Sequence, residues 1–205
     1  MARSRTFIRG YLRENLALSR TGYDATRAAA PKDLRAAYRA GDFESSLRDV
    51  PNQVLPTTWV RAAVQRWTHR PPDGIPMCAI GDDASGGGDD PMVLAMRHGG
   101  WFAPMVVVLG KDIPQDRAGK FAAGQIVSYR RDDADVIVDM GGGYGGSTYE
   151  QLRANGIQAQ AHKGAEKSSR RTLDGKHGFS NRRTEIAWRF REALDPSQPG
   201  GSVVM

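Results

Sequence analysis

The sequence predicts an α/β domain, a mixed five-stranded sheet flanked by helices and preceded by a mostly helical N-terminal segment. Three observations carry that expectation. Short apolar or β-branched runs alternate with amphipathic stretches from about residue 77 onward, and clusters of glycine and proline separate them. Two of the apolar runs end in aspartate followed by glycines. The first is Ile80-Gly-Asp-Asp-Ala-Ser-Gly-Gly-Gly-Asp-Asp90, and the second is Val136-Ile-Val-Asp139 leading into Met-Gly-Gly-Gly-Tyr-Gly-Gly146. A strand delivers its last side chains to a sheet edge, where glycines let a ligand's backbone approach. Paired carboxylates there suit a divalent cation, which prefers hard oxygen ligands.

Taken in order, residues 1–70 read as helices with loose connections. Phe7 to Leu18 has an imperfect helical period that Gly22 interrupts. Pro31 opens a better helix that Gly41 stops. The run from Thr57 to Trp67 carries Trp59, Ala63 and Trp67 on one face, a stripe whose expected use is packing rather than base stacking. Three prolines and a glycine over 70–76 then place a boundary between 1–70 and 71–205.

Past that boundary, Met77–Gly81 is the first expected strand, with Cys78 buried in it. Met92–Arg97 and Trp101–Leu109 are the second and third, joined through His98-Gly-Gly100 as a hairpin. Gln115 to Arg131 follows as a helix with Ala118, Phe121, Ala122, Ile126 and Tyr129 as its apolar stripe. Asp135–Met140 is the fourth strand, Ser147–Asn155 a helix stopped by Gly156, and Ile157–Ala161 a fifth strand. Residues 164–178 are polar, basic and glycine-punctuated, so a mobile surface loop is expected. A helix capped by Asn181 then runs to Leu194 with Ile186, Ala187, Phe190 and Leu194 as its apolar face. Val203 to Met205 has the character of a further strand.

Three strands in a meander, then helix, strand, helix, strand and helix, is the order of the ribonuclease H-like fold. In that order the first and fourth strands lie side by side, which brings two aspartates 56 residues apart in sequence, Asp83 and Asp139, to one sheet edge.

Composition agrees with a globular chain of 205 residues, 40% hydrophobic and 25% charged. Its single cysteine excludes an intramolecular disulfide and fits a reducing compartment. Net charge is +6, unevenly distributed. Residues 1–70 carry +7, residues 71–150 carry −6 and residues 151–205 carry +5. An acidic centre between basic flanks suits a metal-dependent enzyme working on a polyanion. No apolar run approaches the roughly 18 residues of a membrane span, and the first residues lack a signal peptide's apolar core. The expected partner is therefore not a membrane.

At the level of motifs, Ile80 to Gly99, Val138 to Gly146, and Phe179-Ser-Asn-Arg-Arg-Thr-Glu-Ile-Ala-Trp-Arg-Phe-Arg-Glu192 resemble, in that order, the nuclease domain of tailed-phage large terminase subunits. Residues 4–8 and 41–43 resemble the segment that joins the packaging ATPase to that nuclease. The resemblance spans nearly the whole chain and implies two-metal endonucleolytic cleavage of concatemeric phage or prophage DNA, with Mg²⁺ or Mn²⁺ as cofactor. Asp83 and Asp139 are the implied catalytic metal ligands. Asp82 stands where the family more often has an apolar residue. The implied partners are double-stranded DNA, a separate ATPase part, the small terminase subunit and the portal, in the cytoplasm of a bacterial host.

Two departures from the family pattern matter. No Gly-x-x-x-x-Gly-Lys-Ser/Thr phosphate loop occurs, so the resemblance extends to no ATPase. The family's third acid lies some tens of residues past the position of Met205, as if the nuclease end were truncated. Within the chain its substitutes are Glu185, which is the weak candidate, then Glu192 and Asp195. A basic belt of Lys163, Lys167, Arg170, Arg171, Lys176, Arg182 and Arg183 is expected to hold DNA phosphates without reading sequence. The alternative function is a split or truncated terminase piece that binds DNA or a partner and cuts poorly. A nucleotide-binding turn at Gly141–Gly146 lacks its strand context and has an aspartate before it. The four histidines show no zinc spacing. A catalytic His177 and a resolvase-like relative of the same fold complete the readings left open by the sequence.

Overall fold

The computed structural model describes Asp49 and residues 53–197, and the expected helices before residue 49 and the strand at 203–205 lie outside that range. The chain divides into two compact units, Met1–Gln53 and Val54–Met205. In the first, Gln53 Nε2 donates to Asp49 Oδ1 at 2.9 Å. The second holds the sheet.

That unit contains α1 (Thr57–Arg66), β1 (Ala79–Asp83), β2 (Met92–His98), β3 (Trp101–Phe102), β4 (Val106–Val108), α2 (Ala118–Tyr129), β5 (Asp135–Asp139), α3 (Gly145–Ala154), β6 (Ala159–His162) and α4 (Arg182–Leu194). β2 runs antiparallel to β1, β5 runs parallel to it, and β6 is parallel to β5. The spatial order is β3/β4, β2, β1, β5, β6, so the sheet has the five expected positions and the ribonuclease H-like connectivity.

The third position is not one strand. β3 pairs Arg97 with Phe102, whereas β4 pairs Leu94 with Val106, so Ala103, Pro104 and Met105 face only Ala95 and Met96. One extra residue sits in the outer strand, and Pro104, which has no N–H to give the ladder, lies in that bulge. The uninterrupted strand expected over 101–109 is corrected on that ground.

One face of the sheet forms the core. Ile80, Met92, Leu94, Val136 and Val138 are fully buried against Ile126 of α2 and Leu152 of α3. Each such side chain contributes roughly 1.5–3 kcal/mol by leaving water. Together they outweigh any single unfavourable polar group on the same face. Two short 3₁₀ turns, Gly110–Asp112 and Gln115–Arg117, lead into α2.

A second, smaller cluster moves the expected boundary. Ala63 of α1 and Leu194 of α4 are fully buried together, with Trp59, Val60, Phe102 and Phe190 packed round them. Arg191 lies 4.8 Å from the Trp59 ring and 5.1 Å from Trp188, and donates to the Val54 carbonyl. Trp67, just past α1, donates from Nε1 to the Phe102 carbonyl, and its ring stacks on Trp101. The helix assigned to the N-terminal segment thus belongs with the sheet. The unit begins at Val54 rather than residue 71, because apolar burial on both sides spans the proline-rich stretch. The tryptophan stripe is packing, as expected. On α4 the expected apolar face is also adjusted, since Ile186 is half exposed and Ala187 exposed while Phe190, Ala193 and Leu194 make the contacts.

Candidate active site

β1 starts two residues later than its sequence suggests and runs through both aspartates to Asp83. Cys78 falls before it and is exposed, which corrects the buried placement. Because side chains alternate along a strand, Asp82 and Asp83 leave the sheet on opposite faces. Asp82 follows Ile80 onto the core face and is 3% exposed; Asp83 is exposed. Asp82 lies opposite Val138 in the parallel ladder, so Asp83 and Asp139 are the next residues along the two strands.

Both Asp82 carboxylate oxygens are buried without a hydrogen-bond partner. Burial first, then the negative charges of Asp83 and Asp139, push its pKa from 3.8 up to about 7. Asp139 is half buried, and its Oδ1 accepts the Gly141 N–H at 2.9 Å. The chain then turns sharply into α3. Gly145 packs on the carbonyl of Asp139, where a Cβ would overlap that oxygen, so only glycine allows the helix to start so close behind the aspartate.

The glycine turn after β1 is closed by its own staple. The buried Ser85 hydroxyl donates to the Asp90 carbonyl at 2.6 Å and accepts the Gly87 N–H. Asp89 and Asp90 are exposed.

The expected third acid is engaged elsewhere. Glu185 Oε2 accepts the hydroxyl of buried Ser168 at 2.6 Å. Glu192 accepts from Leu173 N, Trp188 Nε1 and Arg189 Nη1. Asp195 accepts from Ser197. Among the described residues, no group of three or more His, Cys, Asp or Glu side chains is arranged to hold a metal ion.

The basic belt divides in two. Lys163 and Arg182 both pair with Glu166, at 3.7 and 3.5 Å, and Lys176 pairs with Asp174 at 3.8 Å. Arg171 donates to the carbonyls of Gly175 and Lys176, and Arg183 lies against Gly164. Lys167 and Arg170 are exposed and, among the described residues, make no ion pair. The loop expected to be mobile is instead braced, by a bridge between Arg171 and Gly178, by Thr172 to Asp174 at 2.6 Å and by the Ser168–Glu185 bond. Its stability comes from partners on α4 that loop composition does not reveal. His177 lies in this braced loop, its backbone N–H bonded to Thr172 Oγ1.

The sheet order and the flanking helices are those of the ribonuclease H-like fold. The chain is similar to solved structures of the nuclease domain of the large terminase subunit gp2 of bacterial virus Sf6. One of these was solved alone, at 17% identity and a TM-score of 0.53. A mutant form solved with manganese and beta-thujaplicinol gives 16% and 0.53, and a mutant with calcium gives 17% and 0.51. Each alignment covers 74% of this chain and 72% of the other. At that identity the likeness establishes the fold. No protein-family model matches the chain, and no curated protein matches it. No helix among the described residues is long and apolar enough to cross a membrane.

Proposed function

We propose that the domain is a divalent-metal-dependent DNA endonuclease of the large-terminase type, cutting concatemeric phage or prophage DNA during packaging. The observation that carries this reading is the register that makes Asp83 and Asp139 the next pair at the ends of β1 and β5, with the unpartnered carboxylate of Asp82 buried behind them, in a fold shared with a terminase nuclease. A buried carboxylate with neither oxygen satisfied is costly. A Mg²⁺ or Mn²⁺ held by its neighbours offsets the negative charge crowded round it, so the residues present fit a cation. Asp83 and Asp139, the next pair in the β1–β5 register and so on one side of the sheet, would hold it. Asp82 adds its charge from the buried face of β1.

When bound, such ions polarise a phosphodiester and lower the pKa of water. The chain's own part is to fix the two carboxylates on a rigid sheet and to keep bulk away from the DNA backbone at the glycine turns. It also supplies cations to DNA phosphates: Lys167 and Arg170 directly, and Lys163, Arg171, Lys176, Arg182 and Arg183 by exchanging weak surface contacts for phosphate. A separate ATPase part, a small terminase subunit and a portal are the partners this reading implies, in a bacterial cytoplasm.

The absence of a third clustered acid among the described residues favours a second reading, a DNA- or partner-binding unit that cleaves weakly. Plasmid nicking in Mn²⁺ separates the two. The endonuclease reading expects nicking by the wild type that is lost in Asp139→Ala; equal nicking by both proteins sinks it.

A further inference from the structure

Beside the acidic strand ends lies a cleft of roughly 540 Å³, between the 3₁₀ turn Gln115–Arg117, the start of α2 and the start of α3. None of the three aspartates lines it, so it is separate from the proposed metal position. It is nevertheless adjacent, because its inner wall is Gly86, three residues after Asp83, and Tyr144, five after Asp139. The Tyr144 ring lies on Gly86 so closely that a Cβ at residue 86 would overlap it. The ring thus bridges the two glycine turns, yet it is 53% exposed.

The rest of the lining has a specific character. Gln115 and Gln151 bring amides able both to donate and to accept. Arg117 and Lys120 bring two cations, balanced by Asp116 and Glu150, with Asp116 already 3.7 Å from Arg117. A cleft with balanced charge does not make a track for a polyanion. An aromatic face, two amides and a lysine suit a flat heterocycle carrying a single phosphate, and the volume lies in the range of small-ligand sites.

We infer that this cleft is a subsite for one unpaired nucleotide of the DNA strand flanking the cut, its base stacked on Tyr144, its edge met by Gln115 and Gln151, and its phosphate by Lys120. The placement beside a cut rests on the nuclease reading; the binding itself does not. Stacking on an aromatic side chain tolerates every base, so the subsite favours a locally opened strand over paired duplex without selecting sequence.

The test is fluorescence anisotropy on the full chain in EDTA, with a short fluorescein-labelled oligothymidylate and a labelled hairpin duplex. Tyr144→Ala is expected to weaken the oligothymidylate about ten-fold and to leave the duplex unchanged. Tyr144→Phe retains wild-type binding, while Gly86→Ala, which displaces the ring, weakens it as Tyr144→Ala does. No oligothymidylate binding by the wild type, unchanged binding in Tyr144→Ala, or an equal loss on duplex overturns the proposal. So does displacement of the oligothymidylate by thymidine monophosphate at equal concentration, which would assign the cleft to a free nucleotide. Because no metal or cleavage is involved, nicking that survives Asp139→Ala sinks the nuclease reading alone. Tyr144-independent binding sinks the subsite alone.

Discussion

At the ends of β1 and β5 a buried carboxylate has no partner, whereas in the loop between β6 and α4 the acids are in use. Asp82 is enclosed with both oxygens unsatisfied. Ser168, Thr172, Asp174, Glu185 and Glu192 are joined to one another, to the backbone or to arginine. Both regions are rich in charge, and their composition alone does not distinguish them. The difference lies in what each is anchored to. The strand ends are held by the hydrophobic face beneath them, which tolerates an unsatisfied group. The loop has only its own hydrogen bonds and those of α4 to define its shape. An acid without a partner is available to a ligand, and an acid with one is part of the frame.

The largest effect is expected at Asp83. Asp83→Asn is expected to reduce Mn²⁺-dependent nicking by roughly 100-fold or more, as removing a metal ligand forfeits several kcal/mol of charge stabilisation. Glu185→Gln, by contrast, keeps nicking within about three-fold, since that carboxylate is spent on Ser168 (an effect below about 0.7 kcal/mol). Rates measured side by side on supercoiled plasmid decide the point, and an equal loss in both variants would show that Glu185 is the third ligand after all.

Asp82→Asn, on the buried face, has a stability consequence of its own. The folded-state pKa of Asp82 is about 7 against 3.8 for an ordinary aspartate. Folding therefore favours the protonated acid, so its penalty is absent below pH 4, grows as pH rises through that window and is complete above pH 7. The full shift corresponds to at most about 4 kcal/mol. In EDTA, Asp82→Asn should melt above the wild type at pH 8 and level with it near pH 4. Adding Mn²⁺ should raise the wild type at pH 8 by more than the variant, which lacks the charge at residue 82 for the cation to offset. A stability difference independent of pH would mean that Asp82 is solvated in the folded protein.

How much of this contrast was legible follows from the kind of information each region needed. Element order was legible because Pro71, Pro72, Pro76 and the glycine turns mark the connections, and adjacency of β1 and β5 follows from that order. Which face each of Asp82 and Asp83 takes depends on strand parity, which a two-residue error in the bounds of β1 obscured. The signal was present: Ile80 is the lone large aliphatic of that strand, and counting two residues on from it puts Asp82 on the same buried face. Pro104 likewise announced the break between β3 and β4. The pairing of Ser168 with Glu185 was not legible, because a contact across 17 residues between a loop and a helix leaves no local pattern. Nor was the burial of α1 against α4, which joins residues more than 100 positions apart.

On the loop side, Ser168→Ala removes one of the bonds that brace the segment. The hydroxyl is buried and donates to a carboxylate, and such bonds contribute roughly 1.5–3 kcal/mol. Loss of about 2 kcal/mol in urea unfolding is expected, with protease cleavage appearing between residues 166 and 178. An unchanged midpoint and no new cleavage would mean that the loop is braced by its remaining bonds alone.

The smallest effect concerns the cations that the frame leaves over. Lys167 and Arg170 have no ion partner among the described residues, whereas Lys163 and Arg182 share Glu166. A free cation that meets a phosphate releases one counterion, so removing it lowers the slope of log affinity against log salt by about 0.9. A paired cation must first leave its carboxylate, and replacing it frees that acid to repel the same phosphate. Lys167→Ala and Arg170→Ala are therefore expected to reduce the slope by about one each while affinity on duplexes of different sequence falls uniformly. Arg182→Ala should weaken binding more at low salt than its own contact explains, because Glu166 is then left with Lys163 alone. Duplex titrations across a salt series measure all three. If Lys167→Ala and Arg170→Ala leave the slope unchanged, DNA passes over another face, and the braced loop is a structural element rather than a binding one.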